Sequence, residues 1–195
     1  MLRRGALGLI AFCLPQLALA HSPIEGVAKF YGGLLHPVLV PSHALALLVF
    51  ALLVGQGGVR AMRFSYPPFL AALAMGLVLA GVDVSIGLSA ESVLLSVTFV
   101  CGVLVALQVP LPVVLYAIMG AGLGLLIGVD SGVTDYTRQE TFAALLGTWL
   151  GAAIGLVAIA GVVELLVQPW QRVAVRVLGS WVTASALLVL ALALR

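Results

Sequence analysis

Imidazole is the side chain best suited to holding a transition metal or passing a proton near neutral pH. All three histidines of this chain, His21, His36 and His43, fall in one short stretch. They lie in His21-Ser-Pro-Ile-Glu25 and in His36-Pro37-Val-Leu-Val-Pro41-Ser42-His43. On an ideal helix His36 and His43 share a face but stand about 10.5 Å apart along the axis. That is too far for both to hold one ion at nitrogen distances of about 2.0–2.1 Å. Three arrangements remain. Pro41 distorts the segment and brings the rings together, or each histidine serves its own station on a path, or each is a hydrogen-bonded structural residue. Ser42 could orient an imidazole or add a weak oxygen ligand, and serine is equally common as a simple helix cap. His21 is a candidate for a different reason. As the first residue of a processed chain it would offer an α-amine and an imidazole to one cation, with Glu25 nearby to assist; otherwise it is only a terminal residue.

Other chemistry is missing from the pattern. There is no paired Ser/His/Asp placement and no metalloprotease helix, so the chain is not read as an enzyme. It has no nucleotide-binding loop and no dinucleotide fingerprint, and no nucleic-acid partner or permanently bound cofactor is expected.

The elements that must position the histidines are membrane helices. The 195 residues are 63% hydrophobic and 8% charged, against about a quarter charged in soluble domains. Arg3 and Arg4, an apolar core over Gly5–Leu19 and the small residues Ala18-Leu19-Ala20 make residues 1–20 a signal peptide, cleaved before His21. Residues 21–195 then form a single transmembrane domain. At roughly 20 residues per span this allows five to seven helices. Six apolar runs are expected, near Val38–Gly55, Pro67–Val82, Ser92–Leu107, Leu111–Val129, Phe142–Val167 and Val177–Leu194. The fold class is therefore all-α, a polytopic helix bundle in the lipid bilayer. Pro37 suits the first turn of the first helix. Pro41, one turn on, should loosen it, so Tyr31–His43 is expected to be an irregular, partly re-entrant entrance.

Charge orients the bundle. Loops Gln56–Arg63 and Gln168–Arg176 carry Arg60, Arg63, Arg172 and Arg176, whereas the alternate loops carry Asp83, Glu91, Asp130, Asp135 and Glu140 with Arg138 as their base. Basic loops stay in the cytoplasm, which places the protein in the inner membrane with both mature termini outside. Gly120, Gly124 and Gly128 in the fourth run, and Gly147, Gly151 and Gly155 in the fifth, recur at the spacing that lets helix backbones approach closely. Such faces also suit a membrane-protein partner or a second copy. Cys101, left alone once Cys13 is removed, is a packing residue. Asp83 and Asp130 at outer helix ends are expected to be solvated, with facing the histidines as the alternative. Glu164 either snorkels toward Arg172 or marks the inner exit of an ion path. Trp149, Trp170 and Trp181 are interfacial anchors or core residues.

The chain resembles the HupE/UreJ family of membrane proteins. The resemblance rests on a signal ending before a histidine, on Phe30-Tyr-Gly-Gly-Leu-Leu-His36-Pro37, on His43, and on a first helix ending Val54-Gly55-Gln56. It implies six helices and a role in supplying nickel. The family's first-helix pattern is His, five residues, Asp, His. His36 and His43 match it, while Ser42 stands at the Asp position. The family's fourth helix carries histidine and glutamate; here Leu115-Tyr116-Ala-Ile-Met119-Gly120 carries neither. The resemblance thus implies a diverged member: a permease or facilitator with Ni2+ or Co2+ as substrate, or a non-transporting accessory subunit or metallochaperone.

Amino-terminal sequencing of the protein purified from membranes should begin at His21. A chain beginning at Met1 would show that the first apolar segment is retained.

Overall fold

A computed structural model of the chain describes residues 27–81, 90–133 and 136–193. His21, Glu25, Asp83, Asp135 and the expected cleavage site lie outside the described residues. The described residues form seven helices and no strand: α1 (Val27–Leu39), α2 (Pro41–Gln56), α3 (Gly58–Ala80), α4 (Ala90–Leu107), α5 (Val113–Val129), α6 (Arg138–Glu164) and α7 (Pro169–Ala193).

The apolar stretch Pro41–Ala80 is 40 residues long, twice what one bilayer crossing needs. It folds back on itself. The rings of Phe50 in α2 and Phe69 in α3 stack with centroids 5.8 Å apart, which a continuous helix would forbid. The reversal sits at Gly58, whose φ of +72° is one that side-chain-bearing residues seldom adopt. Helices α2 to α7 are thus six legs of the bundle, and the stretches Pro41–Ala80, Ala90–Leu107, Arg138–Glu164 and Pro169–Leu192 are long and apolar enough to cross a membrane; α1 is an extra, shorter segment. The expected all-helical membrane bundle is the observed architecture.

Helix α2 is the axis of the bundle. It is apolar all round, as a fully enclosed helix must be, and Ala46, Val49, Phe50, Ala51 and Val54 are wholly buried. Helix α6 runs alongside it. Gly147 and Gly151 lie against the backbone of Phe30 and Leu34 in α1, and further along Gly155 meets Leu47 and Val163 meets Gly55 in α2. Helices α1 and α2 thus run the same way along one face of α6. On the far side, Gly120, Gly124 and Gly128 of α5 lie on the backbone of Ser65, Phe69 and Leu73 in α3. A third pair joins α4 to α7, where Gly102 meets Gly179 and Thr183. The glycine spacing is packing glue, as expected. Trp149 joins two of these layers by donating from its indole to the Leu70 carbonyl at 3.0 Å; Trp170 and Trp181 are exposed on the outer surface of the bundle, and Cys101 is buried.

Three expectations need correction. The Tyr31–His43 entrance is not irregular: it is regular helix on both sides of a single break. The prolines exchange roles. Pro41, not Pro37, opens a helix, and Val40 before it is extended at φ −87°, ψ 115°, the conformation a following proline favours. Pro37 lies inside α1, which keeps its helical path because its backbone is held against α6. Finally, the arginine loops are helical: Arg60 and Arg63 belong to the first turns of α3, and Arg172 and Arg176 to those of α7. Long basic side chains allow a helix to begin before its apolar run, since they extend toward water from its end.

These close approaches make a contrast within one helix testable. Gly124→Leu should cost about 1–3 kcal/mol through overpacking, because a Cβ there would meet the Phe69 carbonyl. Gly122→Leu, with nothing within 4 Å, should be near neutral. Thermal unfolding of the two variants in detergent checks the difference.

Candidate metal site at the helix break

The break at Val40–Pro41 does what an unbroken helix could not. It ends α1 just after His36 and starts α2 just before His43, and the two rings meet edge to face with centroids 5.2 Å apart and planes at 68°. Two imidazoles sharing one ion at about 2.0–2.1 Å per nitrogen would hold their ring centres roughly 4.5–6 Å apart. The break brings the two rings together, as in the first of the three arrangements open to the sequence, while His43 also makes the side-chain hydrogen bond of the third.

His43 is fully buried and its Nε2 lies 2.9 Å from Oδ2 of Asp130. Asp130 follows the last residue of α5. Because α5 runs parallel to α3, back toward the end where α2 begins, its terminus arrives at the level of His43. This corrects the expectation that Asp130 is merely solvated: its carboxylate faces a histidine. An acid at the end of one helix and a histidine at the start of another share one end of the bundle; the alternation of the helices was the available signal.

A neutral imidazole that donates from Nε2 keeps its lone pair on Nδ1. Nδ1 of His43 is buried without a hydrogen-bond partner, and so is Nε2 of His36. Buried polar atoms are rarely left so. Burial, with the neighbouring His43 ring, holds the His36 pKa below its ordinary value, while Asp130 pulls it upward. The neutral ring this favours is the form that ligates a metal. Ser42 is buried beside His43 in the first turn of α2.

His36 is reached from one end of the bundle through a cavity of about 210 Å³ whose walls include Lys29, Ser131, Tyr136 and Thr148. The Lys29 ammonium sits 3.9 Å from the centre of the Tyr136 ring. Lys29 stands seven residues before His36 in α1, a spacing that puts residues on one helix face, so its signal was available and was missed; Tyr136 carries no such pattern. Among the described residues no group of three His, Cys, Asp or Glu side chains is arranged to hold an ion. The protein offers two nitrogen donors and one orienting carboxylate.

The opposite end is separate. A cavity of about 530 Å³ there is lined by Gln56, Arg60, Gln108 and Tyr116. Its neighbour, of about 270 Å³, is lined by Gln56, Gln108, Glu164 and Arg172. Glu164 and Arg172 share that cavity without forming an ion pair, so the expected snorkelling contact is not made. From His43 to Gln56 is about 20 Å of helix, closed by Phe50, Leu52, Leu53 and their neighbours.

Asp130→Ala should lower unfolding stability by about 1–3 kcal/mol, the cost of leaving a buried imidazole unpaired. In a cycle with His43→Ala the two losses should not add. Additive losses would mean that the pair is incidental.

No curated protein matches the chain, and no solved structure does. The family model described as HupE / UreJ protein matches residues 9–189, which is nearly the whole chain. Together with the broken first helix and its histidine pair, this match identifies the chain: it belongs to the HupE / UreJ protein family, a membrane-protein family linked to nickel and cobalt transport.

Proposed function

We propose that the protein is a permease for a divalent transition-metal ion, nickel or cobalt, and that His36 and His43 capture the ion. One observation carries this reading: two imidazole nitrogens are buried without partners on adjacent rings, and one of the rings is oriented by a carboxylate. Metal-binding histidines are characteristically held this way, with the second ring nitrogen donating to an acid that fixes the tautomer. Asp130 thus takes up the role left open by Ser42, in the layer behind the ligands rather than among them. His21 and Glu25 remain candidates for first contact with the ion, ahead of the described residues.

Passage cannot follow an open channel, because the core between the two ends is close-packed. Transport would require the bundle to open alternately, and the α1–α2 break is the natural place for it to flex, since irregular backbone at membrane depth is tolerated where it lines a cavity. Cavities at both ends of α2, with a closed centre, fit such a carrier. The protein would sit in the inner membrane with the histidine end outside, because Arg60, Arg63, Arg172 and Arg176 gather at the other end.

The second reading, a non-transporting accessory subunit or metallochaperone, is favoured by the lack of a third donor side chain among the described residues. Uptake of radiolabelled nickel and cobalt separates the two. Cells making the native protein should accumulate more metal than cells without it, and His36→Ala or His43→Ala should each remove most of the excess at equal membrane abundance. No excess in native cells favours the subunit reading. An excess indifferent to both substitutions would move the path elsewhere in the bundle.

A further inference from the structure

The arginine end of the bundle carries charge that the metal reading leaves unused. Arg60 and Arg63 stand in the first turns of α3, and Arg172 and Arg176 in those of α7. Arg176 donates from Nε to the Ala106 carbonyl at 2.8 Å. Arg60, Arg63 and Arg172 make no ion pair among the described residues. The acid at this end, Glu164, shares the cavity of about 270 Å³ with Arg172 and is not paired with it. The acids outside the described residues cannot supply the missing partner. Glu25, Asp83 and Asp135 stand within two residues of Val27, Gly81 and Tyr136, which belong to the histidine end. Two residues of chain reach at most about 7 Å, against about 20 Å of helix from His43 to Gln56.

Arg60 lines the cavity of about 530 Å³, together with Gln56, Gln108 and Tyr116 and an apolar wall that includes Leu111 and Val113. Gln56 donates its amide to the Val105 carbonyl at 3.3 Å. Gln108 has a φ of +54°, in the left-handed region that glycine or asparagine usually fills at a helix end. Two bonds hold it there, from its own N–H to the Val105 carbonyl and from the Val109 N–H to the Leu104 carbonyl. A glutamine in that conformation costs stability that a glycine would not, and it lines both cavities.

The surface at this depth is not one that faces bulk water. Val59 and Phe64 adjoin Arg60 and Arg63, Leu107 and Val109 flank Gln108, and Trp170 precedes Arg172; all of these apolar side chains are exposed. Arginines interleaved with exposed tryptophan and aliphatic side chains belong at the boundary of a bilayer, where the indole sits among headgroups and the arginine stems lie along apolar surface. The anion at that depth is the phosphate of a lipid.

We infer that the cavity at Arg60 is a binding site for the headgroup of an anionic phospholipid. The Arg60 guanidinium pairs with the phosphate, the Gln108 amide donates to a second oxygen, and Leu111 and Val113 meet the glycerol and the start of the chains. Arg63 lines neither cavity, which separates this site from the general attraction of a basic surface for anionic lipid. The inference stands independently of the metal site.

The test uses the full-length protein in detergent and counts bound lipid by native mass spectrometry. Phosphatidylglycerol and phosphatidylcholine with the same chains are titrated separately. The native protein should hold one phosphatidylglycerol roughly tenfold more tightly than phosphatidylcholine, the effect of one charge-assisted hydrogen bond. Arg60→Gln should lose that preference, Arg60→Lys should retain most of it, and Arg63→Gln should leave it unchanged. Gln108→Gly should weaken phosphatidylglycerol binding roughly threefold, the loss of a neutral hydrogen bond. Its thermal unfolding should stay near the native midpoint, since glycine suits that backbone conformation. Equal weakening by Arg60→Gln and Arg63→Gln would reduce the effect to diffuse surface charge and overturn the site. Displacement of the lipid by inorganic phosphate at comparable concentration would overturn the lipid as ligand in favour of a free anion.

Discussion

The constraint on which the rest depends is the complete burial of His43. An imidazole inside a membrane bundle carries two nitrogens that water cannot reach, and each must be satisfied or put to use. Asp130 satisfies one of them. To do so it must arrive at the same depth from a different helix, which fixes the register of α5 against α2. That register is set in turn by α3, along whose backbone the glycines of α5 run in parallel. A polar contact of 2.9 Å and a row of missing side chains are thus parts of one arrangement.

The second imidazole arrives by a different device. Helices α1 and α2 run in the same direction along α6, and only the extended Val40 before Pro41 separates them. A continuous helix would have carried His36 and His43 a full two turns apart. The break shortens that distance to ring contact, and the small residues Gly147 and Gly151 on α6 let α1 lie close enough to keep His36 over the start of α2. Proline chemistry at one residue and glycine packing on a distant helix jointly place two nitrogens. Neither suffices alone, because the break would otherwise leave α1 free to swing away.

Much of this was legible in the chain. The helical membrane class follows from composition, the pairing faces follow from glycines four apart, and the histidine stretch stands out in a sequence with so few polar groups. The limits were equally physical. Pro37 was expected to start the helix and Pro41 to loosen it; packing of α1 on α6 carries Pro37 inside a helix, and Pro41 starts the next one. The helix starts at Gly58 and Pro169 were hidden because arginines on early turns resemble loop residues. Asp130 reaches His43 from a helix 87 residues away, a pairing that position along the chain suggests only through the alternation of the helices. Glu164 and Arg172 illustrate the reverse case, a pair suggested by proximity in sequence that lines one cavity without forming an ion pair.

The central claim is that both imidazoles face one metal ion. X-ray absorption spectroscopy at the nickel edge, on the full-length protein loaded with one equivalent of nickel, tests it most directly, because bound imidazole rings give a characteristic outer-shell scattering. The account predicts two histidine nitrogens on the metal in the native protein, with the remaining ligands oxygen, and one histidine nitrogen after His36→Ala. A nickel shell made of oxygen alone, or one unchanged by that substitution, would contradict it.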